Sequence, residues 1–202
     1  ILLAWLSVGT ATAGKLFGGG KSRYAIVVAK DASQSELTAA EELQEYIYKI
    51  SGAKLALINE DKAADYKRYI FVGYSPKFGE KLGVKRPADG DEGFTYRSVG
   101  DDLWIYGGKQ RGTMYGVYSF LENELGVRWY TKSCTKVPEL NTWSFGKLNH
   151  SETPAVGIRQ MDYFDAQDAA FLAHNKVNSI WNSQVNDYGN LVGYWGCHTF
   201  DA

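Results

Sequence analysis

The residues best suited to bind a polar ligand lie near the end of the chain and are Arg159, Asp162, Trp181 and His198. The planar guanidinium of an arginine carries several N–H donors in fixed directions, which suits adjacent hydroxyl groups or a carboxylate. A histidine in a loop rich in glycine and aromatic residues can donate to a hydroxyl, and an indole ring can stack on a flat apolar face. These four residues are therefore the predicted substrate-binding residues.

Each candidate also has a structural interpretation. Arg159 could pair with the neighbouring carboxylate of Asp162, and His198 could anchor its own loop. Tryptophan is as much at home in a core as in a ligand site, so Trp181 could be a core residue. The sequence alone leaves both interpretations open.

No residue pattern predicts a metal or a cofactor. Cys134 and Cys197 are the only cysteines, and together with three histidines they lack the CxxC or HxxxH spacing of a zinc site. Whether these two cysteines form a disulfide is left open. Lys21 and Ser22 follow three glycines and so resemble the end of a phosphate-binding loop, but Lys15 occupies the position of that motif's first glycine.

Charge and size restrict the classes of function. The chain of 202 residues has 22 basic and 23 acidic side chains, a net charge of −1, and no long run of either sign. Nothing in this balance attracts nucleic acid or anionic lipid, so neither is an expected partner. With 45% hydrophobic residues, a chain of this length can bury a sizeable core in one or two domains.

The first residues resemble the remnant of a secretory signal. Residues 1–8 are almost wholly apolar but too short to span a bilayer, and Ala11-Thr12-Ala13 has the small-x-small pattern that signal peptidase reads. The pattern predicts an exported protein, periplasmic or extracellular, cleaved near Ala13, with a flexible N-terminus up to residue 20. The alternative is a short buried helix.

Residues 21–150 are predicted to form an α+β domain, in which two helices cover one face of a mixed sheet. Ser33 and Glu36 predict a capping box at the start of the first helix, and Gly52 predicts its end. Gly100-Asp101 suits a tight hairpin. The predicted strands are 24–29, 55–58, 69–72, 94–99, 103–106 and 127–130, followed by an edge strand that contains Trp143 and Phe145.

The second helix, predicted to start at about Arg111, contains two glycines. Gly112 and Gly116 lie four residues apart, although glycine is costly inside a helix. This spacing predicts that the helix backbone lies close against the sheet or a neighbouring domain. Gly126 is expected to end the helix with a positive φ.

A new unit is predicted to begin after a linker at residues 151–154. Strand 156–161, a helix that Asp165 caps and that runs to Asn175, and strand 177–181 make one βαβ unit. Such a unit after a complete α+β domain predicts the opening of a (β/α)₈ barrel in residues 151–202, with ligand-binding residues at the C-terminal ends of its strands. The α+β domain is expected to pack on this barrel.

Several segments resemble parts of family-20 β-hexosaminidases and family-67 α-glucuronidases. TAAEELQEYIYKISG (38–52) and RGTMYGVYSFLENELGVRW (111–129) resemble the two helices and the exit strand of the non-catalytic domain that precedes the barrel in these enzymes. PAVGIRQMDYFD (154–165) and HNKVNSIW (174–181) resemble the first two strand regions of the barrel. VGYWGCHTF (192–200) resembles a segment of a bacterial family that joins the same N-terminal domain to a barrel.

The resemblance implies a glycoside hydrolase acting on glycans, with uronic acid or N-acetylhexosamine residues as its targets, and the signal-like N-terminus adds the expectation that it is exported. In family-20 enzymes the arginine that matches Arg159 binds sugar hydroxyls. Glycoside hydrolysis generally needs two carboxylates, and the related enzymes place them on later strands, so the catalytic residues are expected beyond Ala202 and the chain alone should be inactive. A non-catalytic glycan-binding or scaffold module is the alternative, and an independent interaction module at 21–150 is a third hypothesis.

Overall fold

A computed structural model describes residues 14–161, 168–178 and 186–189. Strands and helices alternate along most of this part of the chain. The strands are β1 Gly14–Gly18, β2 Tyr24–Val28, β3 Ala56–Asn59, β4 Arg68–Val72, β5 Phe94–Val99, β6 Asp102–Gly107, β7 Arg128–Thr131, β8 Cys134–Lys136, β9 Thr142–Phe145 and β10 Asn149–Glu152. The α-helices are α1 Gln34–Ser51, α2 Pro76–Leu82, α3 Gly112–Asn123 and α4 Ala169–His174, and short 3₁₀ helices cover Glu60–Asp65 and Asn186–Tyr188.

The main sheet has six strands in the order β10-β5-β6-β4-β2-β3. Strands β3, β2, β4 and β6 run parallel to one another, whereas β5 is antiparallel to both of its neighbours, β6 and β10. Two small two-stranded sheets, β1-β9 and β7-β8, lie outside it. The predicted hairpin is present, because Val99 pairs with Asp102 across Gly100, which has φ +60°.

Helices α1 and α3 cover one face of the main sheet, as the sequence predicts. Leu43 and Ile47 of α1, with Val117 and Leu121 of α3, are completely buried in the principal core. The opposite face carries a smaller cluster that the sequence analysis did not predict. Its centre is the stacked pair of Phe71 and Trp104, whose ring centroids are 4.0 Å apart, and the fold is therefore an α+β domain with unequal layers on the two faces of a mixed sheet.

Helix α1 has both of its predicted ends. The side chain of Ser33 accepts a hydrogen bond from the backbone N–H of Glu36 at 3.2 Å, and the Glu36 carboxylate accepts one from the N–H of Ser33 at 2.9 Å. Gly52 ends the helix with φ 72°. The Glu36 carboxylate also accepts from the hydroxyl of Thr113 at 3.1 Å, so the same cap joins α1 to the start of α3.

Ser33→Ala is expected to lower the free energy of unfolding by about 1–2 kcal/mol, because the variant leaves the backbone N–H of Glu36 without its cap. The Ser33 hydroxyl also donates to the carbonyl of Lys109 at 2.7 Å, which places the value toward the upper end. Urea denaturation followed by circular dichroism measures the change. Ser144→Ala, at an exposed position on β9, is the matched control and should leave the midpoint unchanged; equal midpoints for the two variants would contradict the cap.

The two glycines of α3 make the close approach that their spacing predicts. A Cβ on Gly112 would lie 2.5 Å from the carbonyl oxygen of Gly93, and a Cβ on Gly116 would lie 3.0 Å from a methyl carbon of Ile105. The first contact is with the loop before β5 and the second is with the sheet itself. Gly126 follows with φ 78°, as predicted for a residue that ends a helix.

Two predictions about the domain's edges are wrong. The N-terminus is not a flexible segment from Gly14 onward, because β1 pairs with β9 and buries Leu16 and Phe17 completely or nearly so. The predicted edge strand is β9, but it pairs with β1 outside the main sheet. The edge of the main sheet is β10, which includes Ser151 and Glu152, so the predicted linker at 151–154 begins two residues later.

The segment after β10 differs from the prediction in its local structure. Residues 156–161 form no strand, and only Gln160 has the pairing of an isolated bridge. A following helix is present but short, and Asp168 caps it by accepting from the N–H of Phe171 at 2.8 Å. Asp165, the predicted cap, and most of the strand predicted at 177–181 lie outside the described residues. Asp168 caps the helix because it lies three residues before Phe171, whose backbone N–H has no partner within the helix.

Candidate functional site

Glu92 is the centre of a buried polar network where the segment after β10 meets the α+β domain. One carboxylate oxygen accepts from Nε of Arg111 at 2.5 Å, and the other accepts from Nη2 of Arg159 at 2.6 Å. The side chains of Glu92 and Arg111 are only 11% and 6% exposed. Two cations thus share one carboxylate in a partly desolvated position, where such pairs interact more strongly than at the surface.

Each arm of this network begins at a defined structural element. Glu92 lies in the loop that enters β5, and Arg111 occupies the N-cap position of α3. Arg111 reaches further, because its Nη1 donates to the carbonyl of Gly189 at 3.0 Å. Gly189 has φ +79°, and a Cβ there would lie 1.8 Å from the carbonyl oxygen of Gln110, so only glycine fits at this contact.

Arg159 is held by an ion pair, two further hydrogen bonds and a cation–π contact. Besides the ion pair with Glu92, its Nε donates to the carbonyl of Lys176 at 2.7 Å and its Nη1 donates to the carbonyl of Val156 at 2.6 Å. The guanidinium carbon also lies 5.7 Å from the ring centroid of Tyr115 on α3, within the range of a cation–π contact. The predicted ligand-binding arginine is therefore fixed in place by Glu92 and Tyr115 of the α+β domain together with two backbone carbonyls of its own segment.

Asn178 completes the network from the other side. It is fully buried, and its amide nitrogen donates to Glu92 at 2.8 Å and to the carbonyl of Gly157 at 2.7 Å. Its amide oxygen accepts from the backbone N–H of Arg159 at 2.8 Å. The side chain of Asn178 thus ties the backbone around Arg159 to the carboxylate that holds the arginine's side chain.

The electrostatics of the site follow from these partners. Burial alone would raise the pKa of the Glu92 carboxyl, but hydrogen bonds from Asn178, Arg159 and Arg111 outweigh it and hold the pKa below its usual value. Glu92 is therefore ionised at neutral pH and unsuited to be a general acid. Burial raises the pKa of the Tyr115 hydroxyl to about 12, so that hydroxyl is neutral at the same pH.

A second contact joins the same segment to α1. His174, at the end of α4, lies 2.6 Å from a carboxylate oxygen of Glu42, and both side chains are largely buried. The imidazole stacks on Trp129, with ring centroids 4.6 Å apart and planes 15° from parallel. The packing of this segment on α1 and α3 therefore includes the contact of His174 with Glu42 as well as the Glu92 network.

The structure locates only part of the predicted site. Arg159 is described, whereas Asp162, Trp181 and His198 lie outside the described residues, so their substrate-binding roles stay predictions. The ion pair of Arg159 is with Glu92 of the α+β domain. Sequence reasoning missed Glu92 and Asn178, although Asn178 carried a signal: a polar residue inside a predicted buried strand needs hydrogen-bond partners.

The described ranges hold neither a metal-binding cluster nor a helix able to span a membrane. Residues 14–161, 168–178 and 186–189 contain no cluster of three or more histidine, cysteine or carboxylate side chains able to hold a metal ion. Within these ranges no helix combines the length and the apolar character needed to cross a bilayer.

Comparison with known proteins relates this architecture to glycoside hydrolases. The family model for the N-terminus of glycosyl hydrolase family 67 matches residues 5–120. A family GH115 4-O-methyl-α-glucuronidase with specificity for decorated arabinogalactans is similar, with a TM-score of 0.51 and 18% identity over 67% of this chain and 18% of that enzyme. The Streptomyces plicatus N-acetyl-β-hexosaminidase gives a TM-score of 0.45 and 14% identity over 74% of this chain and 25% of that one. No curated protein matches the chain.

The fold is thus that of an α+β domain found in glycoside hydrolases. The chain belongs to the family of glycosyl hydrolase family 67 N-terminal domains, since that family's model covers more than half of it. The resemblance to the α-glucuronidase type of N-terminal domain is confirmed. The chain spans about a fifth of the length of the GH115 enzyme, and at 18% identity the similarity to that enzyme shows the fold alone.

Proposed function

We propose that this chain is the N-terminal part of an exported glycoside hydrolase that removes uronic acid or N-acetylhexosamine residues from glycans. The observation that carries the proposal is the family match over residues 5–120, on a chain that folds as the corresponding α+β domain. The proposed substrate is a carbohydrate. The proposed catalytic carboxylates lie on barrel strands that follow residue 202.

The proposed organisation has three parts. Residues 1–13 are the remnant of a signal peptide, residues 14–152 form the α+β domain, and a (β/α)₈ barrel begins after residue 152. The pairing of β1 with β9 and of β10 with β5 supports these bounds, because a domain should include every strand that its sheets need. Packing of the α+β domain on the barrel would use the contacts of Glu92 and Glu42.

Arg159 is the proposed sugar-binding residue of this chain. Its three hydrogen bonds use three of the five N–H groups of a guanidinium. The N–H groups that its contacts leave unused could donate to adjacent hydroxyls or to a uronate carboxylate. Asp162, Trp181 and His198 are proposed to contribute to the same site, and Glu92 would be a positioning residue that acts through Arg159.

The whole gene product tests the function. We expect it to release 4-nitrophenol from the α-glucuronide or the N-acetyl-β-hexosaminide, whereas residues 1–202 alone should release none. Release by the shorter chain would overturn the proposed location of the catalytic residues. If the whole protein cleaves neither glycoside, nor a polysaccharide decorated with uronic acid, the proposal that it is an enzyme is overturned and the glycan-binding alternative is favoured.

A further inference from the structure

A basic cleft lies at the edge of the α+β domain, away from the Glu92 network. Its volume is about 540 Å³, and four cationic side chains line it: Lys15, Lys21, Arg23 and Arg68. The remaining lining comes from β1 and the turn after it, including the hydroxyl-bearing Ser22. A volume of this size lies within the usual range for small-ligand sites.

The turn between β1 and β2 brings two of these cations together. Gly18 and Lys21 pair with each other, and the two glycines between them, Gly19 and Gly20, have φ of 58° and 71°. Few other residues adopt that conformation readily. The side chain of Lys15 folds back over the same turn, so that a Cβ on Gly18 would lie 2.6 Å from its ammonium nitrogen. The backbone thus positions both ammonium groups beside the cleft.

The positive charge of the cleft is mostly uncompensated. Arg68 pairs with Asp101 at 2.9 Å, but within the described part of the chain Lys15, Lys21 and Arg23 have no carboxylate at ion-pair distance. The protein as a whole has a net charge of −1, so the excess of cations at this cleft is a local feature. Like charges held together repel, and a bound anion would relieve that repulsion.

The shape of the site restricts the anion. A concave cleft suits a group that projects from a chain, whereas a bilayer presents a flat surface and a duplex presents a broad one. The turn forms one wall of the cleft and leaves room for about one or two sugar rings. Ser22 and the two lysines could form hydrogen bonds with the hydroxyl groups of such a sugar. The Ser22 hydroxyl donates to the carbonyl of Leu16 at 2.6 Å and accepts from the backbone N–H of Tyr24 at 3.1 Å, which leaves one lone pair of its oxygen to accept from a sugar hydroxyl.

We propose that this cleft binds an acidic sugar residue of a polysaccharide through its carboxylate or sulfate group. The choice of a sugar over other anions rests on the proposed function, whereas the choice of an anion rests on the four cations alone. The α+β domain would then have a binding role of its own, holding an acidic glycan while other residues act on it.

Titration calorimetry on the 202-residue chain tests this proposal at low and at moderate salt. The probes are an oligogalacturonate, a chondroitin sulfate oligosaccharide, a neutral cello-oligosaccharide and inorganic phosphate. We expect one or both acidic oligosaccharides to bind, the neutral one not to bind, and the affinity to fall as salt screens the charges. The difference between the first two probes tells carboxylate from sulfate recognition.

Lys21→Gln combined with Arg23→Gln should weaken that binding by about tenfold or more, because two charge-assisted contacts are lost. Lys54→Gln combined with Lys136→Gln makes the same change in net charge at exposed positions elsewhere and should have little effect. Both pairs alter surface residues, so thermal unfolding should show folded protein in each case.

Three outcomes would overturn the proposal. The first is binding of the neutral oligosaccharide as tight as that of the acidic ones, and the second is the same loss of affinity in both double variants. The third is phosphate binding as tight as that of the acidic sugars, which would indicate a general anion site. Binding is measured here without hydrolysis. Absence of binding at this cleft would therefore leave the release of 4-nitrophenol by the whole protein as a separate result, so failure of one proposal can be told from failure of the other.

Discussion

Gly112→Ala is expected to destabilise the domain by about 2 kcal/mol, although alanine is the better helix former. Its Cβ would lie 2.5 Å from the carbonyl oxygen of Gly93 and 2.7 Å from that of Asp91, and both atoms belong to the backbone. Relief therefore needs the loop before β5 to move, which typically costs about 1–3 kcal/mol for an overpacked site. Helix propensity would offset at most about 1 kcal/mol of this.

The sign of this change separates the two effects. Propensity alone predicts a more stable variant, whereas the close approach predicts a less stable one. Denaturant unfolding measures the free energy, and Gly146→Ala is the control, because no atom lies within 4 Å of a Cβ at that position. A Gly112→Ala protein as stable as the parent would show that the helix and the loop are not in contact. Gly116→Ala should show a smaller loss, since its nearest neighbour is a side-chain carbon at 3.0 Å.

Glu92→Gln is expected to produce the largest loss of stability, about 3 kcal/mol, because it leaves two guanidinium groups without their carboxylate. Arg111 is affected most, since its side chain is 6% exposed and water can scarcely replace the lost partner. The glutamine keeps the size of the side chain and one acceptor oxygen, so the change reports on charge more than on packing. Thermal and urea unfolding measure it, with the exposed Glu139→Gln as the control.

The effect of Glu92→Gln should depend on pH in one direction. The pKa of Glu92 in the folded protein is lower than the ordinary value of 4.5, so its stabilising contribution is fully present above the unfolded-state pKa. It is lost as the pH falls through the folded-state pKa. The difference in unfolding free energy between the parent and the variant should therefore be constant near neutral pH and shrink in acid. A difference that grows in acid would contradict the assignment.

A double-mutant cycle distinguishes the Glu92–Arg159 pair from a general loss of packing. If the pair is formed, Glu92→Gln and Arg159→Gln together should cost less than the sum of the single changes, by about 0.5–3 kcal/mol. Strict additivity would show that the two residues act separately. In the whole protein, an effect of Glu92→Gln on KM that Arg159→Gln shares would identify Glu92 as a positioning residue for ligand binding.

The predictable part of this fold was encoded locally. The capping box of Ser33 and Glu36, the positive φ of Gly52 and Gly126, and the hairpin at Gly100 each depend on a few neighbouring residues. The spacing of apolar residues and the residues typical of caps and turns therefore predicted most of the strands and both long helices. The glycine spacing of α3 also predicted a close packing contact, because no local reason favours glycine in a helix.

The two errors at the domain's edges share one physical cause, which is pairing between distant segments. A strand such as β1 is short and glycine-rich, and only its partner β9, more than a hundred residues later, makes it a strand. The same is true of β10, whose polar sequence resembles a linker until it pairs with β5. A local pattern cannot show hydrogen bonds that another part of the chain supplies.

The candidate site divides in the same way. The sequence by itself determined the family and the α+β class and made Arg159 a candidate site residue, because these follow from local patterns and from their order along the chain. Only the tertiary structure decided what holds Arg159, since Glu92 lies 67 residues away and Asn178 is buried against both. The basic cleft is likewise a tertiary feature: its cations come from β1, the following turn and β4, and their repulsion exists only because folding brings them together.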